Sequence, residues 1–172
     1  MPDPFVSAAD SGRRDRVADG APQLPTILFA DADPEYRDMV RDALLEGRSP
    51  SDLRFAADGE QLLDYVLRRG AYAEPDAAPR PALIVLDLRL PRLGGLDAVR
   101  AIRSNPALRR IPVIALTDDA DDPEHVSAAY DAGVNTYLPK PVTFLALVKL
   151  VKVFTAYWLD AALLPAAPEG GA

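Results

Sequence analysis

No cysteine occurs in this chain, which excludes disulfides and thiolate metal centres, and the single histidine excludes a histidine-cluster site. A cytoplasmic location is compatible with that absence. Basic residues are also in short supply, with 19 Lys and Arg against 26 Asp and Glu and a net charge of −7 at neutral pH. A nucleic-acid binder needs a basic face to displace counterions from phosphates, so that class is disfavoured. Residues 1–25 lack the apolar core of a signal peptide and read as a solvated, disordered tail. An uninterrupted membrane-length apolar run is missing too. The longest candidate, residues 141–164, is broken by Lys149, Lys152 and Asp160, where a span wants about 20 predominantly apolar residues.

What the 172 residues offer is room for one domain of ordinary size. Five short apolar runs punctuate it: "TILFA" at 26–30, "LRFAA" at 53–57, "ALIVLD" at 82–87, "PVIALT" at 112–117 and "NTYLP" at 135–139. The third and fourth are nearly continuous, as befits strands covered on both faces. Segments of helical spacing alternate with them at 34–46, 58–69, 94–104, 122–132 and 141–162. Asp33, Asp58 and Asp122 stand where N-caps belong, two of them before a proline, and Gly47, Gly70 and Gly133 stand where helices stop. Five strand–helix units predict an α/β fold, a five-stranded parallel sheet of order 2-1-3-4-5 with helices on both faces, over residues 26–164. Residues 165–172 read as a flexible tail.

Ligands in such sheets lie beyond the carboxyl ends of the strands. There the sequence places Asp31, Asp87, Thr117 followed by Asp118 and Asp119, and Lys140. An aspartate oxygen can attack phosphorus while a hydroxyl, an ammonium and a divalent cation stabilise the phosphoryl oxygens. Magnesium suits such a site because it takes oxygen ligands and keeps several waters. Any one acid after a strand is ordinarily a solvated turn residue; four such groups in register point to chemistry.

Asp31 at a strand end, "LDLRLPRLGG", "ALT" and "YLPKP" together resemble the receiver domain of two-component response regulators, a flavodoxin-like fold, over residues 25–165. "RRGAYAEPDAAPRP", "NPALRRIPVIAL", "SAAYDAGVNTYLPKPV" and "YWLDAALLP" bring the chain closer to the stand-alone receivers that partner bacterial and cyanobacterial phytochrome histidine kinases. The resemblance implies a non-enzymatic phosphoprotein of a phosphorelay. Asp87 would be the phosphoacceptor, Thr117 and Lys140 the groups that engage the phosphoryl, and Tyr137 the aromatic switch. Asp31, Asp87 and the backbone carbonyl of Arg89 would hold Mg2+. It also implies a cis Lys140–Pro141 bond and a histidine kinase, a bacteriophytochrome, as partner. Helix four, strand five and helix five would then signal, with no nucleic-acid or membrane partner and no room after residue 165 for a DNA-binding output domain.

Two residues break the family pattern. Receivers carry two consecutive acids after strand one, whereas here Ala32 follows Asp31. Losing a carboxylate weakens the hold on a hard cation. Asp118 follows Thr117 where a small or hydroxyl residue is usual, and its charge either opposes a phosphoryl group or replaces the lost ligand. A degenerate receiver acting as a phosphorylation-independent interaction module is therefore the alternative. A second rival is a haloacid-dehalogenase-like phosphatase using Asp31 with Asp33, although Pro34 follows the pair and Asp87 would then have no role.

Other features have plain readings. His125 is taken as an exposed helix residue, and "LGG" at 93–95 as a turn opening helix three. Tyr157 and Trp158 read as packing residues. The last helix is apolar on more than one face, from Phe144 and Leu145 to Val153 and Tyr157. Such a surplus predicts an interface, and the resemblance supplies its kind, a two-fold homodimer centred on residues 141–160.

Overall fold

In the computed structural model, which describes residues 24–74, 76–118 and 122–165, five parallel strands lie in the order β2-β1-β3-β4-β5. They are β1 Thr26–Ala30, β2 Asp52–Ala56, β3 Leu83–Asp87, β4 Val113–Thr117 and β5 Thr136–Pro139. The helices are α1 Pro34–Gly47, α2 Gly59–Leu67, α3 Gly95–Ser104, α4 Pro123–Ala132 and α5 Phe144–Thr155. A 3-10 turn, Gly70–Tyr72, and a π-helical turn, Ala156–Ala161, complete the set. The predicted tails fall almost wholly outside the described residues, as does Asp119. Among the described residues no helix is long and apolar enough to cross a membrane.

Side chains alternate along a strand, and that alternation divides the core in two. Leu28 and Ala30 of β1, with Ile84 and Leu86 of β3, face Leu62, Ala98, Val99, Ile102 and Ala129 of α2, α3 and α4. Ile27 and Phe29, with Leu83 and Val85, face Val40 and Leu44 of α1 and Leu147, Val151 and Phe154 of α5. Both faces of β1, β3 and β4 are therefore buried, which is why their sequences are continuous apolar runs. The edge position of β5 tolerates Pro139.

The aspartate caps form as predicted. Asp33, Asp58 and Asp122 accept hydrogen bonds from the backbone N–H groups of Glu35, Gln61 and Glu124. Two of the glycine stops do not. Arg48 and Arg68, at φ 53° and 52°, take the left-handed position, while Gly47 ends α1 and Gly70 opens the 3-10 turn. Only Gly133, at φ 103°, terminates its helix as expected. The last helix begins at Phe144 rather than residue 141, because Thr143 caps it through the N–H of Ala146.

Gly95 decides how closely α3 approaches the end of β3. A Cβ there would sit 2.6 Å from the Cα of Leu88 and 2.8 Å from the carbonyl oxygen of Asp87. Backbone cannot swing aside as a side chain can. Gly95→Ala is expected to destabilise the fold by about 1–3 kcal/mol, as overpacking does. Urea denaturation checks it, and a midpoint equal to that of the parent would refute this reading of the contact.

Candidate functional site

The carboxyl ends of β1, β3, β4 and β5 converge on a small acidic pocket. Asp31 follows β1 and is buried, and Asp87 ends β3 and is buried as well. Each carboxylate has one oxygen fixed by a turn: Asp31 Oδ1 accepts from the N–H of Asp33 at 2.9 Å, and Asp87 Oδ1 from the N–H of Arg89 at 2.8 Å. Their other oxygens meet at one cation. Lys140 Nζ lies 2.7 Å from Asp31 Oδ2 and 3.0 Å from Asp87 Oδ2, and its side chain is 11% exposed.

Burial taken alone would make the Lys140 ammonium easier to deprotonate. The hydrogen bond to Asp87 and the close ion-pair contact with Asp31, with the charges of the same two groups, outweigh that and hold its pKa above the ordinary lysine value. The strand order brings the lysine here, since β5 runs beside β4 and the Lys140 N–H donates to the carbonyl of Thr117 at 2.8 Å. Thr117, at the tip of β4, is buried. Tyr137 is half-buried against the α2–α3–α4 side of the core.

All peptide bonds among the described residues are trans, Lys140–Pro141 included, which corrects the cis expectation. The trans form is the lower one for X–Pro by about 0.5–1 kcal/mol, and from it Lys140 already reaches both carboxylates. The "DAD" motif divides. Asp33 is exposed and caps α1, so it is not the second acid that a phosphatase built on Asp31 would use.

Three participants were not legible as such. Tyr36, assigned to the buried face of α1, also forms the floor of the pocket, with Lys140 Nζ 4.2 Å from its ring centroid. Burial foremost, then the charges of Asp31 and Asp87, push its phenol pKa well up. Arg37 Nη1 donates to the carbonyl of Asp31 at 2.5 Å. Arg89, considered only for its carbonyl, pairs through its guanidinium with the Asp118 carboxylate. The only signal for the first two was position, in the first turn of a helix that starts three residues beyond a strand-end acid.

The carboxylates of Asp31 and Asp87 are donors that a divalent cation retaining much of its water can use, and the carbonyl of Arg89 is the further donor that the resemblance implies. Asp31 Oδ2 supports the fit. It is buried beside the Lys140 charge but has no well-aligned donor, so a lone pair remains for a ligand. The set is thin, for among the described residues no three acids or histidines gather at one point. Asp118 does not replace the missing carboxylate while Arg89 holds it.

A model of the response regulator receiver domain matches residues 27–152. The chain is 34% identical over 146 residues to response regulator Rcp1 of Synechocystis sp., covering 85% of this chain and 96% of that protein. The manganese-bound structure of Rcp1 superposes with a TM-score of 0.73 at 32% identity, over 83% of this chain and 99% of the other. A response regulator in red light signaling of R. palustris gives 0.78 and 36%, and the phosphorylated cyanobacterial phytochrome response regulator RcpA gives 0.76 and 31%. Both of those matches also cover 83% of this chain and 99% of the other. The similarity runs from β1 into α5 at a level that shared folding alone does not require, and on it the chain belongs to the response regulator receiver domain family.

Proposed function

We propose that Asp87 accepts a phosphoryl group from a histidine of a partner sensor kinase, a bacteriophytochrome, and that the phosphorylated protein signals through α4, β5 and α5. The observation that carries this reading is the convergence of Asp87, Asp31 and Lys140 within ion-pair distance at the strand ends. Asp87 Oδ1 is fixed by the Arg89 N–H, leaving Oδ2, on the Lys140 side, to attack phosphorus. Lys140 then neutralises the incoming oxygens, and the Thr117 hydroxyl closes on them. Asp31, Asp87 and the Arg89 carbonyl would hold Mg2+, which when bound would supply further positive charge to the phosphoryl oxygens. Movement of Thr117 toward the phosphoryl changes the packing of Tyr137, the reading that similarity to other receivers supports.

Acetyl phosphate stands in for the kinase. With magnesium in excess, the intact mass is expected to rise by one phosphoryl group, more slowly and at higher metal concentration than for a receiver with both acids after β1. No adduct, beside a control receiver that forms one, would favour the phosphorylation-independent module that Ala32 motivates.

The homodimer is read from α5. Leu147, Val148, Val151 and Phe154 are spent on the core, yet Val142, Leu145, Val153 and Tyr157 remain more than half exposed. Trp158 packs partly against the core and edge-on to Tyr157. A second copy presenting the same stripe about a two-fold axis covers this surface. Light scattering at tens of micromolar is expected to give a dimer, and Leu145→Glu with Val153→Glu a monomer that melts like the parent. A monomeric parent would remove the claim.

A further inference from the structure

Contacts around Asp87 form a closed circuit. Its carboxylate accepts from the Arg89 N–H and pairs with Lys140, the Lys140 N–H donates to the Thr117 carbonyl, Asp118 follows Thr117, and Asp118 pairs with the Arg89 guanidinium. The last link is unlike the others. Lys140, Asp31 and Asp87 are nearly buried, but the side chains of Arg89 and Asp118 are 53% and 46% exposed. A pair in that much water is weak. A phosphoryl group on Asp87 would place a dianion two positions along the chain from Arg89, and guanidinium binds phosphate oxygens through a fork that the exposed Asp118 carboxylate does not outbid.

We propose that Arg89 is a phosphoryl ligand held in reserve by Asp118: on phosphorylation its guanidinium leaves Asp118 for the phosphoryl oxygens, adding positive charge where the absence of an acid at Ala32 leaves a metal ion more weakly held. This rests on Asp87 being the acceptor. It assigns Asp118 a use as well, the counter-charge that holds Arg89 beside an otherwise acidic pocket until a phosphoryl group competes for it. In forming the adduct, an Asp87 oxygen bonds to phosphorus and acetate leaves acetyl phosphate with the P–O electron pair. In losing it, a water oxygen bonds to phosphorus, the Asp87 carboxylate leaves with the electron pair, and the protons of the water pass to phosphate and solvent. Arg89 stabilises the state between these steps and exchanges no proton.

The two substitutions therefore act in opposite directions. Arg89→Ala keeps the backbone N–H on Asp87 but removes the ligand, so uptake from acetyl phosphate slows and the lifetime of the adduct shortens, each by about five- to tenfold for a partly solvated donor. Asp118→Asn removes the competitor, so uptake quickens about two- to fivefold and the adduct lives longer. Arg89→Lys restores part of the lifetime, because charge returns without the fork. Intact-mass time courses on the full chain, with melting curves equal to the parent, read all of this. Uptake quickened by both Arg89→Ala and Asp118→Asn would make the pair a lid and overturn the proposal, and rates for both within error of the parent would make it an inert surface contact. A parent that forms no adduct at all would remove the acceptor reading and this one with it.

Discussion

Asp87→Asn is expected to yield a folded protein that takes up no phosphoryl group. The amide retains an oxygen to accept from the Arg89 N–H, so the turn that follows β3 keeps its anchor. The amide is not a nucleophile toward phosphorus, and neighbouring acids do not take its place. Asp31 has one oxygen fixed by the Asp33 N–H and the other beside Lys140, and Asp33 is spent as the cap of α1. Stability changes little, because one of two like charges is removed and Lys140 keeps Asp31 as its partner. Intact mass after acetyl phosphate treatment, set beside the melting temperature, checks both halves. An undiminished adduct on Asp87→Asn would move the acceptor elsewhere, while a large fall in melting temperature would mean that Asp87 is foremost a structural residue.

Lys140→Met carries the largest expected cost in stability. Its side chain is close in volume, but two nearly buried carboxylates lose their shared counter-charge. Breaking a buried pair on one side costs about 3–5 kcal/mol. At this chain length that corresponds to a melting temperature lower by roughly 6–20 °C. Phosphoryl uptake falls as well, by about a hundredfold, the usual consequence of removing a group that meets developing charge. The sign of the pH dependence follows from the raised pKa of Lys140, which is driven up by Asp31 and Asp87 against the opposing effect of burial. The ammonium binds its proton more tightly folded than unfolded. Its stabilisation is complete below the ordinary lysine value of about 10.4 and is lost as the pH climbs through the raised folded value. The parent should therefore lose stability steeply in that alkaline window, and Lys140→Met should lose less. Parallel alkaline denaturation curves for the two proteins would show that the ion pair does not stabilise the fold.

Sequence made the frame legible where the governing physics is local. The aspartate caps, the apolar runs and the strand-end acids Asp31 and Asp87 each depend on a few neighbouring residues, and each appears where it was predicted. The helix stops were less secure. A left-handed residue is cheap for glycine but not forbidden to arginine, and Arg48 and Arg68 hold that position with their N–H groups bonded to carbonyls of the preceding turn. What remained hidden lies across long separations. Nothing near residue 89 announces residue 118, and nothing near Tyr36 announces the ammonium of Lys140 above its ring. Arg103 is another such case. Its guanidinium donates to the carbonyls of Gly133, Arg109 and Ile111 and to Asn135 Oδ1, tying the loop before β4 to the loop before β5 with neutral acceptors alone. Charge patterning has no means of finding a cation whose partners are carbonyls.

The strand order has a consequence for folding. Asp31 and Asp87 are placed by β1 and β3, which pair directly, whereas Lys140 arrives only with β5 at the far edge of the sheet. A sheet assembled without β5 would bring two carboxylates together without the ammonium that offsets their repulsion. Partly built states are penalised by that repulsion and the finished one is not, so the charge arrangement of the pocket favours all-or-none assembly. The same three side chains that form the candidate site thereby sharpen the cooperativity of the fold that carries them.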